Sequence, residues 1–346
     1  MSKYYRLTKI DSLNDINGKK PWKKLIVGNR CAGKTYSVLE KQIKHFSDTG
    51  RKCMMILRAK NQLNACHLCY TEVFKNLGVD GELTSKPFAK GMFYGMYVDE
   101  ELFGFSVSLK SSDDLKKFSP VFSEVDIMLF DEFQKEDGKY LSNEPELLQS
   151  IYMSVARGGG AQVRGVELYM CSNDVSIMNP YYISLGIYKR LHPNTKTLKG
   201  DGWVLDITHN ISAINALNES NILGGFSGKY RAYASGFEEL VASETFIQKA
   251  SGKSIYMATI VYDNKKFGVR NFYENGYIHI SEKIDPSFPT VLACDDKSHN
   301  TTTLVLRRFM YIWEQIRKAY DMGALRFDNI NSKNAIFDIL AIDLYK

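Results

Sequence analysis

The chain has 346 residues, enough for about two domains of ordinary size. Its 44% hydrophobic and 24% charged residues exclude a disordered or fibrous class, and no apolar run approaches the roughly 20 residues of a membrane helix. The balance of 45 Lys and Arg against 39 Asp and Glu leaves +6, a mildly basic chain that suits nucleic acid as a partner but decides nothing alone.

The opening MSKYYRLTKIDSLND has no apolar core, so no secretion signal is expected. Six scattered cysteines then read as reduced thiols in a cytosol-like compartment. The basic run Lys19-Lys20-Pro21-Trp22-Lys23-Lys24 reads as a solvated approach to a first buried strand at 23–28. Residues 34–46 have helical apolar spacing, and 52–59 read as a second buried strand. Cys66 and Cys69 have CxxC spacing, but no second pair follows at a zinc-binding distance, so they read as two small apolar residues on one helix face. The alternating, aromatic-rich stretch 92–109 predicts an antiparallel hairpin. Apolar strands follow at 125–133 and 166–174, with a helix-like run at 147–156 between them. Strands alternating with helices predict a mostly parallel sheet whose ligands bind beyond the strands' carboxyl ends. After Leu198 the Gly, Asn and Ser content rises, which predicts a linker with little core. A second unit begins near Lys229, with strands in SIYMATIVYD and KFGVRNFYENGYIHISEKID, a helix over 303–320 and a helical tail to Lys346.

The first strand runs into Gly28-Asn29-Arg30-Cys31-Ala32-Gly33-Lys34-Thr35, which fits G-x-x-x-x-G-K-[ST] in the strand–loop–helix context the motif requires. Glycines let the backbone curl so that successive N–H groups meet phosphate oxygens, and the following helix adds its positive end. Lys34 is placed for the β- and γ-phosphates and Thr35 for Mg²⁺, so the loop reads as an ATP site. Asp131 and Glu132 end an apolar strand, where the first acid suits the magnesium and the second suits an attacking water. An adjacent acid pair of this kind points to hydrolysis.

Asn173, ending the next strand, is a candidate for the γ-phosphate or the lytic water; an Asn opening a turn is the plain alternative. Arg157, just before three glycines, is a candidate arginine finger reaching a neighbouring subunit, with Arg164 as its rival. Arg30 is a further phosphate or neighbour contact. Arg58 and Lys60 leave the second strand where a translocated polymer would pass, and Lys116 and Lys117 line the same channel or reach a neighbour's nucleotide. An ordinary exposed side chain is the competing reading for each of these.

GNRCAGKT, IMLFDEFQKEDGKYLSNE, CSNDVSIMNPYY and GALRFDN, in that order over nearly the whole chain, resemble the φ29-type bacteriophage DNA-packaging ATPases, relatives of the large terminases. The resemblance implies an α/β fold: a P-loop (ASCE/RecA-like) ATPase domain over 1–198, a linker over 199–228, and a smaller α+β domain over 229–346. That last domain would be RNase H-like, a vestigial nuclease used for docking. The resemblance also implies a homo-oligomeric ring, pentameric in this family, docked at the portal vertex of an empty capsid in the host cytoplasm. Such a ring drives double-stranded DNA inward at the expense of ATP and Mg²⁺. By position, Lys34 and Thr35 bind ATP and metal, Asp131 holds the metal, Glu132 is the catalytic carboxylate and Arg157 the trans-acting finger. Lys60 falls near a DNA-contacting lysine, and Lys116 or Lys117 at a lysine acting across the subunit boundary. Whether a structural packaging RNA takes part stays open.

A nuclease of that class needs clustered carboxylates; Asp263 is in an obvious place, while Asp285, Asp295 and Asp296 lie in loop-like sequence. Two other functions stay open at this level: a helicase or terminase with an active nuclease, and a nucleotide-binding switch with little hydrolysis.

Overall fold

The computed structural model describes residues 4–135, 140–157, 162–175, 177, 179–191, 195–220, 246–306 and 310–345. The chain forms two compact units, Met1–Ile187 with Asn194–Leu240 and Tyr188–Pro193 with Val241–Lys346. Among the described residues no helix is long and apolar enough to cross a membrane.

In the first unit the helix α1 (Thr8–Ser12) precedes the strand β1 (Lys23–Gly28), the helix α2 (Lys34–Thr49) and the strand β2 (Lys52–Leu57). The helix α3 (Thr71–Asn76) leads to β3 (Leu83–Phe88), β4 (Phe93–Val98) and β5 (Glu101–Ser108). Then come α4 (Ser112–Leu115), β6 (Val125–Asp131), α5 (Glu144–Ala156), β7 (Glu167–Asn173), α6 (Pro180–Ser184), β8 (Thr197–Gly200), β9 (Trp203–Thr208) and α7 (Ile211–Glu219). The nine strands form one sheet in the order β3-β4-β5-β2-β6-β7-β1-β9-β8. The block from β5 to β9 is parallel; β3, β4 and β8 add antiparallel edges.

The expected parallel sheet and the 92–109 hairpin are both present, and α2 runs one turn beyond the expected helix. Gly50 ends α2 in the left-handed region (φ 69°), where its N–H caps the Phe46 carbonyl. The Phe103 ring on β5 receives the edges of Phe46, Tyr70 and Phe74. One ring thus seats α2, the 3₁₀ turn Leu63–Tyr70 and α3 on the same face of the sheet. In that turn Cys66 is buried and Cys69 exposed, so the pair does not share an apolar face.

Two expectations are corrected. The stretch after Leu198 does not begin as a linker: Trp203–Thr208 is a buried strand in parallel register with β1. Six residues of buried strand were masked by the Gly-rich turn before them and the Asn-rich stretch after; the rest of the expected linker, 221–228, lies outside the described residues. Nor are Lys23 and Lys24 solvated, since both are under 5% exposed within β1. Lys24 is matched by Asp11 at 2.7 Å and Glu167 at 2.5 Å, a buried charge made tolerable by its partners.

Lys23 has the Trp22 ring at 4.6 Å and no carboxylate, and burial pushes its pKa down to about 8. Because this folded pKa lies below the model value of 10.5, the unfolded chain holds more protons between the two values, and the penalty of burying the charge fades as pH rises through that window. Lys23→Met should therefore raise unfolding free energy at pH 7, by up to about 3 kcal/mol before the lost ring contact is deducted. The gain over the parent should shrink toward pH 10, as denaturant melts at both pH values will show.

In the second unit β10 (Ile255–Tyr262), β11 (Lys265–Phe272) and β12 (Tyr277–Ser281) form an antiparallel meander. The strands β13 (Val291–Ala293), β14 (Leu304–Val305) and β15 (Leu325–Phe327) complete a six-stranded sheet ordered β14-β13-β10-β11-β12-β15. The helices Met310–Asp321 and Ile330–Tyr345 pack on it through the rings of Phe246, Tyr320, Phe327 and Phe337. The helix expected from Thr303 thus begins only at Met310, because Leu304 and Val305 pair with β13 instead.

Candidate nucleotide site

β1 delivers Gly28 opposite Thr208 of β9. A Cβ at Gly28 would lie 1.9 Å from the Thr208 carbonyl oxygen, so a side chain here would push the loop off its neighbour. Asn29, almost wholly buried, fastens the loop's back: its Oδ1 accepts from the Asn210 N–H at 2.7 Å, ahead of α7. Cys31 (φ 60°) and Gly33 (φ 81°) then curl the chain around the buried Ala32 into α2, with Arg30 half-buried beside them. Lys34 is buried within that curl and donates to the carbonyls of Gly28 at 3.1 Å and Asn29 at 2.7 Å, and to Asn173 Oδ1 at 3.3 Å. Burial lowers its pKa.

β7 lies between β1 and β6 in the sheet. Asn173 therefore ends between the loop and the acids, level with Gly28 on one side, while Cys171 pairs with Asp131 on the other. The Thr35 hydroxyl donates to Asp131, lying 3.0 Å from each carboxylate oxygen. Burial pushes Asp131 up to about 6, against the pull of Thr35 and the Glu132 N–H. A hydroxyl facing a buried carboxylate is a hard-oxygen pair, and Mg²⁺ in phosphate sites takes only one or two such protein ligands beside the phosphates. The residues fit Mg²⁺. Among the described residues no group of three or more His, Cys, Asp or Glu offers a cage for another metal.

Glu132 is exposed and sits in the left-handed region at φ 53°, unusual for a residue with a side chain. The surroundings over-determine that conformation. Arg58 donates to the Glu132 and Phe133 carbonyls, Phe133 N–H reaches the Cys171 carbonyl at 3.2 Å, and Gln134 N–H reaches Ser172 Oγ at 3.3 Å. Arg58 is in turn paired with Glu144 at 2.8 Å, at the start of α5. Glu144 is fully buried and also accepts from the Tyr181 hydroxyl at 2.8 Å and the Leu141 N–H at 3.0 Å. Arg58, expected to face DNA, is thereby the clamp that holds the acid turn. Sequence reasoning missed this partnership because an acid at a helix start reads as a solvated residue complementing the helix dipole. The extension of the motif to Asn143-Glu144 was the available signal.

The other candidates are spread apart. Lys60 is exposed just past β2, and Lys116 and Lys117 are exposed at the start of the 3₁₀ turn Lys116–Phe122, with Lys116 paired to Asp113 at 2.7 Å. Arg164 is committed within its own subunit: it pairs with Asp126 at 2.9 Å and donates to the Phe122 and Val155 carbonyls. Arg157, at the far end of α5, is exposed and makes no ion pair among the described residues; the three glycines after it lie outside them.

In the second unit Asp263 and Asn264 form the two-residue hairpin turn between β10 and β11, with φ of 47° and 58°. The Asp263 N–H donates to Asp295 Oδ2 at 2.8 Å, while Asp285 is engaged with Ser287. The position of Asp263 is explained by turn geometry.

A family model described as Podovirus DNA encapsidation protein (Gp16) matches residues 2–343. The DNA packaging protein of Bacillus phage phi29 is 25% identical over 319 residues, 91% of this chain and 92% of its own length. The solved bacteriophage Phi-29 viral genome packaging motor assembly aligns over 98% of this chain and 100% of its own, at 24% identity and TM-score 0.56. The Phi-28 gp11 DNA packaging motor aligns over 99% of each chain at 14% identity and TM-score 0.59. At those identities the two structures speak for the fold.

Proposed function

The chain belongs to the podovirus DNA encapsidation protein family, and from that premise we propose that it is the ATPase of a viral genome-packaging motor. In this reading a homo-oligomeric ring, a pentamer by family analogy, sits at the portal of an empty procapsid in the host cytoplasm and hydrolyses ATP to move double-stranded DNA inward. The second unit serves as a docking domain, RNase H-like by resemblance.

The observation that carries the reading is the Thr35–Asp131 contact of 3.0 Å, which brings the two halves of a nucleotide-hydrolysing site, 96 positions apart, into one pocket. The loop amides and Lys34 hold the triphosphate, and Asn173 meets its terminal phosphate from β7. Glu132 takes a proton from the attacking water. Bound Mg²⁺ supplies charge neutralisation between the β- and γ-phosphates. Arg157 of an adjoining subunit completes the positive surround.

The test is ATP turnover titrated with linear double-stranded DNA at several protein concentrations. Turnover should rise with DNA and climb more than linearly with protein, as the ring assembles. DNA binding should weaken steeply between 50 and 200 mM salt, because contacts run to phosphates. Unstimulated turnover proportional to protein would favour a nucleotide switch. Metal-dependent DNA cleavage lost in Asp263→Ala would favour an active nuclease.

A further inference from the structure

The segment ahead of α1 crosses the start of α2 as a strap pinned at three points. The Tyr5 N–H donates to the Ala32 carbonyl at 2.8 Å, inside the phosphate loop, and Ser37 Oγ donates to the Tyr5 carbonyl at 2.6 Å. The Tyr5 hydroxyl donates to Asp206 Oδ2 at 2.8 Å, a fully buried carboxylate on β9 that also pairs with Lys9. Pinning Tyr5 lays Tyr4 against the loop. A Cβ on Gly33 would come within 3.0 Å of Tyr4 Cβ and Cδ1, so the second loop glycine is needed both for its φ and for this ring. Tyr4 remains 49% exposed, and its ring centre lies 6.3 Å from that of Tyr36, the residue directly after Thr35. The Tyr36 hydroxyl is held by the Asn76 amide at 2.9 Å.

The sheet order gives this aromatic pair a direction. Asp131, Glu132 and Asn173 belong to β6 and β7, on one side of β1, whereas the strap is anchored to β9 on the other. A triphosphate whose reacting end faces the carboxylates must send its sugar and base away from them. That path leads past Thr35 to Tyr36 and the strap. Two rings held in place with their faces partly open, beside a loop that grips phosphate, match the flat apolar face of a nucleobase.

We propose that Tyr4 and Tyr36 form the wall on which the purine base of the bound nucleotide stacks, with Tyr5 as the residue that positions it. This rests on the reading of Gly28–Thr35 as a triphosphate loop, so the test separates the two. Binding of ATP and of inorganic tripolyphosphate, each with Mg²⁺, is measured by calorimetry on the full chain. Tyr4→Ala and Tyr36→Ala should each weaken ATP by about 10-fold, the order expected for removing one base–aromatic stack. Tripolyphosphate should bind these variants as it binds the parent, Tyr4→Phe should keep ATP affinity, and Lys34→Ala should lose both ligands. Unchanged ATP affinity in both alanine variants would overturn the proposal, as would a parallel fall in tripolyphosphate affinity, since the rings would then only shape the loop. A parent chain that binds neither ligand would instead overturn the loop reading itself.

Discussion

Glu132→Gln should abolish steady-state ATP hydrolysis, with a loss of at least ~10² and up to ~10⁴ in turnover, the range for removing a general base. ATP affinity should stay within about 2-fold of the parent, because the phosphate grip belongs to the loop and Lys34. The two acids divide the work by environment. Asp131 is buried and both of its oxygens are met by Thr35, which suits a metal partner and leaves little room for water. Glu132 is exposed, and its carboxylate takes no hydrogen bond among the described residues, which leaves it open to a proton. Glutamine keeps the side chain's size and the Arg58 clamp on the main chain, so the φ of 53° survives and only the basicity is lost. The companion Asp131→Asn should instead lose the Mg²⁺-dependent part of nucleotide binding. Single-turnover hydrolysis together with nucleotide titration separates the outcomes; full-rate turnover in Glu132→Gln would remove the carboxylate from the mechanism.

Much of this site was legible because its signals are local. The loop motif, Asp131-Glu132 and Asn173 each sit at the end of an apolar run, where a parallel sheet collects its functional residues. The partners that set their geometry were not legible, because they come from distant sequence. Glu144 clamps Arg58 from 86 positions away, and Tyr5 reaches Asp206 across 201. Nothing in residues 1–12 alone marks a strap over the loop, since a short aromatic segment looks the same whether it lies on solvent or on Gly33. The β9 strand was hidden for a related reason: Gly200 and Gly202 turn the chain between β8 and β9, and turn residues dominate a compositional reading of a six-residue strand. In the same way, Lys23 and Lys24 read as a solvated run because sequence cannot say that Asp11 and Glu167 converge on one of them.

Arg157→Ala should lower DNA-stimulated turnover by about 10³-fold in assembled rings, within the range for an arginine finger, while leaving ATP affinity nearly intact. Its own active site is out of reach. Glu144 fixes the start of α5 beside the Glu132 turn through Arg58, and a 13-residue helix carries its far end about 20 Å away. That far end is held by Arg164, whose N–H caps the Ala156 carbonyl and whose guanidinium grips Asp126 at the opposite end of β6 from Asp131. Arg157 can therefore serve only a neighbour's nucleotide, across a head-to-tail interface of the kind that closes rings. Mixing tests this directly. Arg157→Ala subunits keep Glu132, and Glu132→Gln subunits keep Arg157, so a mixture of the two inactive proteins rebuilds complete sites at about a quarter of interfaces in an even random ring. Turnover should return in the mixture, and should fail to return when the double variant replaces either partner. Recovery absent from the mixture, in rings shown by sizing to contain both variants, would mean that the arginine does not work across subunits. Arg164→Ala would not reproduce this pattern: losing its grip on Asp126 destabilises its own subunit and gives nothing for a partner to complement.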